Sequence, residues 1–427
     1  MTINENVAVR EPSQRKPLAD FSFPSEEVTK CPYPFYEALR TEAPVYRYPE
    51  RDDYLLSRRE DILFVLNNPK VFSNRTYLAD GTFTSEQREL LEAKPHGALE
   101  TSFGLTKSDP PEHGIKRRAL GILIDPRHIR NAEDTLRRIA NELIDSFIGR
   151  GTVELRGEFA DPLAIRTICE MAGFPAEDRD IFLSWHRIGT GHGRRFLTSE
   201  QLADQSQDLP AREEYCRKII LDRVENPRDD FLTQVIQSQL ARDGALNMPY
   251  LVGEVGLILT AGNETTSRLI TNVMKLLIEN PDQLQRVVDD RSLVPNAIDE
   301  ALRIECPTQW TSRLVMEDTV VGGVPVPKGA FVLMLYGSAN RDENWVDPDQ
   351  FQIDREGIKR LNMSFGGGIH RCLGSPIALA EGRIALEVML DRLKNPRFAP
   401  GQEANRENID NFQKRVPKKL QIEFDPA

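Results

Sequence analysis

Five cysteines, Cys31, Cys169, Cys216, Cys306 and Cys372, are scattered along the chain with no C-x-x-C pair. That spacing speaks against a zinc ribbon or a disulfide framework and fits a reducing compartment. One of them has unusual neighbours, in Phe365-Gly366-Gly367-Gly368-Ile369-His370-Arg371-Cys372-Leu373-Gly374. Three consecutive glycines permit left-handed backbone and a very close approach to whatever lies over the loop. Pro376 then opens an apolar-periodic run of Ile377, Ala380, Ile384, Leu386, Met389, Leu390 and Leu393, a helix-start signal. Cys372 would thus face orphan N–H groups at a helix N-terminus, whose partial positive charge favours a thiolate. Such a thiolate is a metal ligand or a nucleophile, and the loop by itself leaves both open.

Three further clusters carry polar groups at informative spacings. The longest helical run, residues 250–279, is apolar on most faces, yet Ala261-Gly262-Asn263-Glu264-Thr265-Thr266 interrupts it. A glycine inside a helix costs about 1 kcal/mol and a buried carboxylate costs more, so local propensity does not explain the patch. Asp109-Pro110-Pro111-Glu112-His113 begins a helix on which His113 and Arg117, four apart, share a face. Glu300 and Arg303, three apart on a helix over residues 293–306, form a common pair worth only about 0.2–0.5 kcal/mol on a surface.

The elements that position these groups are mostly helical. Residues 1–30 read as irregular; residues 32–42 form a short helix, 45–48 and 54–56 a hairpin, and 60–66 a helix again. Residues 77–108 read as a long surface excursion. From 131 to 242 the pattern is nearly all helical, with breaks at 149–151, 173–175, 189–193 and 226–227. The glycines at 189, 191 and 193 lack the preceding strand of a dinucleotide loop and serve as a connection between helices, with His186 and His192 solvated. After Pro307, residues 308–314 lead into strands at 319–321 and 331–336. At 427 residues, 40% hydrophobic and 28% charged, the chain is globular rather than disordered. No apolar run reaches the roughly 18 residues of a membrane span and the N-terminus has no secretory core, so the expectation is a cytoplasmic protein without a membrane. A net charge of −11 argues against nucleic acid.

Phe, Gly, any residue, Gly, two residues, a basic residue, Cys, any residue and Gly is similar to the haem-binding loop of the cytochrome P450 superfamily. The resemblance implies haem b as cofactor, Cys372 as axial thiolate on its iron, and Phe365 packed near the sulfur. It assigns His113, Arg117, Arg313 and His370 to the propionates. The patch at 261–266 resembles the family's oxygen-side helix element, with Glu264 and Thr265 as proton relay and Ala261 and Gly262 leaving room beside the helix. In that element the Thr265 hydroxyl turns back toward the carbonyl one turn earlier. Glu300 and Arg303 would meet Arg355 in a structural triad, and Ala261, Thr308 and Trp310 would line the substrate pocket. The implied fold is mainly α with small β-sheets, one triangular prism-like domain over residues 31–427 behind an irregular segment 1–30. The implied activity is a monooxygenase that uses O2 to hydroxylate or demethylate a small organic substrate, with electrons from a separate ferredoxin and ferredoxin reductase. A non-catalytic haem sensor or carrier, or a peroxygenase, isomerase or coupling enzyme of the same fold, are the alternatives. The Glu264–Thr265 pair argues against the second group. Nothing in the sequence names the substrate.

Overall fold

The computed structural model describes residues 15–49, 51, 53–76, 104–185, 200, 207–402 and 412–426. Helix α1, Glu26–Lys30, is capped by the Ser25 side chain, which accepts from the Val28 N–H at 3.2 Å, so the segment expected to be irregular contains a short helix. There follow α2 (Tyr33–Glu42), β1 (Val45–Tyr48), β2 (Asp53–Leu56), α3 (Arg59–Asn67) and β3 (Phe72–Ser73). Next come α4 (Glu112–Leu120), α5 (Pro126–Asp145), β4 (Thr152–Glu154) and α6 (Asp161–Ala172), which Gly173 ends in the left-handed region at φ 85°. Helix α7 is Arg179–Ser184 and α8 is Leu209–Glu225. Asp230 caps α9 (Phe231–Asp243) through the Thr233 N–H at 2.8 Å. The longest helix, α10, runs from Met248 to Glu279, and α11 is Pro281–Asp289. Helix α12 (Val294–Ile304) precedes β5 (Trp310–Val315), β6 (Thr319–Val321), β7 (Val324–Val326) and β8 (Phe331–Leu335). The chain closes with α13 (Ser375–Arg392, proline in its first turn), β9 (Leu393–Phe398) and β10 (Gln421–Pro426). The expected excursion over 77–103 and the connection at 189–193, with His186 and His192, lie outside the described residues.

Two compact units share this chain. The first takes residues 1–72, 268–371 and 395–425; the second takes 73–267, 372–394 and 426–427. In the first, β1 and β2 form an antiparallel hairpin, β2 runs parallel to β8, and β5 pairs antiparallel to β8 with Trp310 opposite Leu335. The core beneath includes Leu56, Ile62, Phe72, Val332, Met334 and Tyr336. Residues 310–315, read from sequence as a lead-in, are thus a central strand.

In the second unit the core joins Ile165 and Ile168 of α6, Ile220 of α8, Val235 and Ile236 of α9, and Leu251, Val255 and Leu259 of α10. Leu105, Lys107 and Ser108 are buried, so the end of the expected surface excursion is an interior turn. The Leu105 N–H donates to Glu254 Oε2 of α10 at 3.2 Å. Close approach is needed there, since a Cβ on Gly104 would lie 2.8 Å from that oxygen.

Glu254 is fully buried, and among the described residues its Oε1 has no hydrogen-bond partner. Burial pushes its carboxyl up to about 7, against the opposing pull of Lys116, the Leu105 N–H and Arg242. Glu381 of α13 is also buried, and burial raises it to about 8, offset only in part by the Thr167 hydroxyl. An acid raised on folding holds more protons folded than unfolded between its two pKa values. Stability therefore falls as pH rises from the unfolded value near 4.3 through 7 and 8. Glu254→Gln and Glu381→Gln are each expected to flatten that decline. Urea midpoints between about pH 5 and pH 9 read it, and an unchanged slope in both variants would refute the burial argument.

Candidate active site

The glycine loop is shaped by its packing in the first unit. Gly366 and Gly368 sit at φ 64° and 61°. A Cβ on Gly368 would lie 2.3 Å from the Leu66 carbonyl oxygen at the end of α3, and one on Gly366 would touch the Tyr336 hydroxyl at 3.4 Å. Backbone against backbone cannot yield, so Gly368 is demanded by α3. Phe365 and His370 are half-buried, His370 closing the short turn Gly368–His370. Cys372 follows and is exposed. Cys169, Cys216 and Cys306 are buried, and burial pushes Cys216 up to about 12 and Cys306 up to about 11. Thiols so raised are poor ligands at neutral pH. Cys31 and Cys372 are the two exposed thiols, and only Cys372 stands at the end of a glycine loop.

The second unit carries the polar patch of α10. Thr265 Oγ1 donates to the Ala261 carbonyl at 2.8 Å, the bond expected for this element. Thr260 does the same one turn earlier, donating to Gly256 O at 2.7 Å. A Cβ on Gly262 would lie 2.6 Å from Ile168 Cδ1, so the glycine also lets α6 pack closely. Glu264 is half-buried and lines a narrow cleft with Phe182, Trp185, Arg212, Leu259, Thr260 and Asn263. The empty space among these side chains, open solvent included, is about 320 Å³. Ala261 is half-buried and is not among the residues lining that cleft. In the same unit His113 is buried on α4 and Arg117 is half-buried.

Sequence reasoning overlooked Phe182, Trp185 and above all Arg212. A signal was available for the arginine. On α8 it shares the buried stripe of Leu209, Cys216, Ile219 and Ile220, a helical spacing that normally carries apolar residues.

The first unit holds the remaining predicted residues. Arg303 donates Nε to Glu300 Oε2 at 2.8 Å and Nη2 to Oε1 at 2.7 Å, and Arg355 Nε reaches both oxygens at 3.0 and 3.2 Å. Burial pulls the Arg303 pKa down, and the Glu300 carboxylate pushes against that. Arg313, buried on β5, donates Nη1 to its neighbour's carbonyl, Ser312 O, at 2.9 Å. Trp310 is 1% exposed, its ring 6.2 Å from that of Phe412, and half-buried Thr308 bridges to Lys414.

A glycine-held exposed thiol, a helix with a back-bonded threonine beside a carboxylate, and a buried Glu–Arg–Arg cluster are each features that the resemblance to the haem-thiolate oxygenases leads one to expect. Comparison with known proteins agrees. The cytochrome P450 family profile matches residues 192–424. The chain is 33% identical to cytochrome P450 109 of Bacillus spizizenii, over 86% of this chain and 85% of that one. It is 32% identical to the vitamin D(3) 25-hydroxylase of Pseudonocardia autotrophica, over 83% and 84%. Among solved structures, CYP109E1 of Bacillus megaterium in complex with testosterone superposes with a TM-score of 0.81 at 28% identity, covering 94% of this chain and all of that one. The chain belongs to the cytochrome P450 family. It is a haem-thiolate monooxygenase of mainly α fold with small sheets, acting with O2 on a small molecule. Among the described residues no helix is long and apolar enough to cross a membrane.

Proposed function

We propose that the chain hydroxylates or demethylates an organic substrate in the cytoplasm, as one haem-built domain over residues 31–427 that takes electrons from a separate ferredoxin and ferredoxin reductase. The observation that carries this reading is the exposed Cys372 at the end of a loop whose glycines are held on α3. The donor set fits haem b: one thiolate for iron, and His113, Arg117, Arg313 and His370 as donors for two carboxylates. Phe365 would shield the sulfur. Bound haem supplies the activation of O2, with the thiolate lending electron density.

The remaining chemistry belongs to the chain. Thr265 Oγ1 commits its proton to Ala261 O, which leaves its lone pairs free to accept from a proton donor in the cleft. Glu264, half-buried at the cleft wall, is placed to take a proton from the solvent side and pass it inward. We assign Ala261 and Thr308 to the substrate wall. Trp310 backs it, because its ring is almost wholly buried against Phe412. The Glu300–Arg303–Arg355 cluster acts on the fold rather than the reaction.

The test is substrate-dependent NADH oxidation with a surrogate ferredoxin and its reductase, scoring oxygenated product against hydrogen peroxide. Wild type is expected to couple the two electrons to product, and Thr265→Ala to divert them into peroxide with coupling down at least about 10-fold. Normal coupling in Thr265→Ala overturns the relay, and the absence of substrate-dependent NADH oxidation in wild type favours a sensor or carrier.

A further inference from the structure

Helix α8 buries two arginines on one stripe, and their surroundings differ sharply. Arg223, 2% exposed, donates to Asp230 Oδ2 at 2.7 Å and to Gly173 O at 2.6 Å, and also bonds Asp222. Arg212, 7% exposed, has a guanidinium that no hydrogen bond or ion pair reaches among the described residues. It lies flat over α10, where a Cβ on Gly256 would sit 3.4 Å from its Nε and 3.5 Å from its Cζ. It also lines the cleft together with Thr260, Asn263, Glu264, Phe182 and Trp185.

A buried, unpaired cation costs several kcal/mol and normally finds a counter-charge. Desolvation lowers the Arg212 pKa; the Cys216 thiol is neutral near pH 7, and the Glu213 carboxylate opposes the shift without a hydrogen bond to Arg212 among the described residues. It stands in the first turns of α8, the end of a helix where the dipole disfavours a cation. Neither local propensity nor packing accounts for arginine there. A ligand anion does: the planar fork takes a carboxylate through two parallel bonds, and the aromatic and aliphatic wall takes the apolar body.

We propose that Arg212 is the anchor for a monocarboxylate substrate, an apolar chain or ring system carrying one acid group. The proposal rests on the monooxygenase reading for its chemistry, but not for its binding. Glu264 shares the cleft and would repel an acid, yet it is eight residues from Gly256, roughly 12 Å along the helix at about 1.5 Å per residue. An acid held over Gly256 would thus be bound about two helical turns from Glu264, and the oxidised part of the substrate is the end remote from its acid.

Equilibrium dialysis of purified holoprotein against decanoate and against 1-decanol tests it, since the two differ in charge and little in length. Wild type is expected to bind decanoate roughly 10- to 100-fold more tightly than decanol, the range of a charge-assisted hydrogen-bonded pair. Arg212→Ala and the bulkier Arg212→Gln should lose that preference while still binding decanol, and Arg212→Lys should keep part of it. Equal affinity for both probes in wild type, binding of neither, or equal weakening of both in the variants would overturn the proposal. Ferrous carbonyl spectra of the same samples test the other reading separately. A thiolate-type band without acid preference removes only the substrate class, and acid preference without that band removes only the haem-thiolate reading.

Discussion

Glu300→Ala is expected to give a chain that accumulates with little haem and a markedly lower unfolding midpoint. Glu300 is 1% exposed and Arg303 is fully buried. The carboxylate accepts from Arg303 Nε and Nη2, from Arg355 Nε, and from the Gln352 N–H at 2.9 Å. Truncation would leave two guanidiniums facing each other with no counter-charge, a loss of about 3–5 kcal/mol for a buried pair. Total stabilities are about 5–15 kcal/mol, so this one change removes a large share. The damage also travels. Arg303 holds the carbonyls of Asn340, Pro348 and Gln350, and Arg355 those of Val346, Asp347 and Gln350. Asn340 in turn bonds Ser364 and the Met363 N–H, and Ser364 Oγ donates to Leu302 O at 2.7 Å. The residues immediately before Phe365 therefore hang from the same helix as Glu300. Glu300→Gln keeps the shape and some of the bonds and should fall between. The haem-to-protein ratio and the urea midpoint measure both effects; a fully haem-loaded Glu300→Ala protein with the wild-type midpoint would sink the structural role.

That cluster also shows what a single sequence can and cannot disclose. Glu300 and Arg303 are three apart on one helix and so were visible as a pair, but Arg355 lies 52 residues beyond Arg303 and was assigned only through resemblance. Helices were legible where proline and glycine punctuate them: α10 was expected at 250–279 and spans Met248–Glu279, and Gly173 ends α6. Strand β5 was not, because Trp310 to Leu314 are held by partners at residues 331–335 that no local pattern announces. Glycines mislead in a related way. A side chain at Gly262 or Gly368 would meet Ile168 or the Leu66 carbonyl, neighbours that no local pattern announces. Arg212 escaped notice because arginine in a mixed helix ordinarily faces solvent, and only the fold shows it turned inward over Gly256.

Cys372→His should abolish the long-wavelength Soret band of the ferrous carbonyl complex and reduce product formation below detection. Cys216 and Cys306 are buried and raised to about 12 and about 11, so neither is a thiolate at neutral pH. Cys169 is buried on α6, and exposed Cys31 follows α1 without any glycine loop around it. If Cys372 supplies the ligand, its replacement by imidazole leaves iron a neutral donor in place of an anionic one, and the electron density that favours O–O cleavage is lost. The loss should exceed the roughly 10- to 100-fold that removing a mere supporting group of a metal site costs. Cys31→Ser and Cys169→Ala, made in parallel, should leave the spectrum unchanged. A nucleophilic role predicts the reverse pattern: alkylation by iodoacetamide would then block turnover in holoprotein, and Cys372→His would keep the wild-type carbonyl spectrum. Retention of that spectrum in Cys372→His would end the ligand assignment, whatever happened to activity.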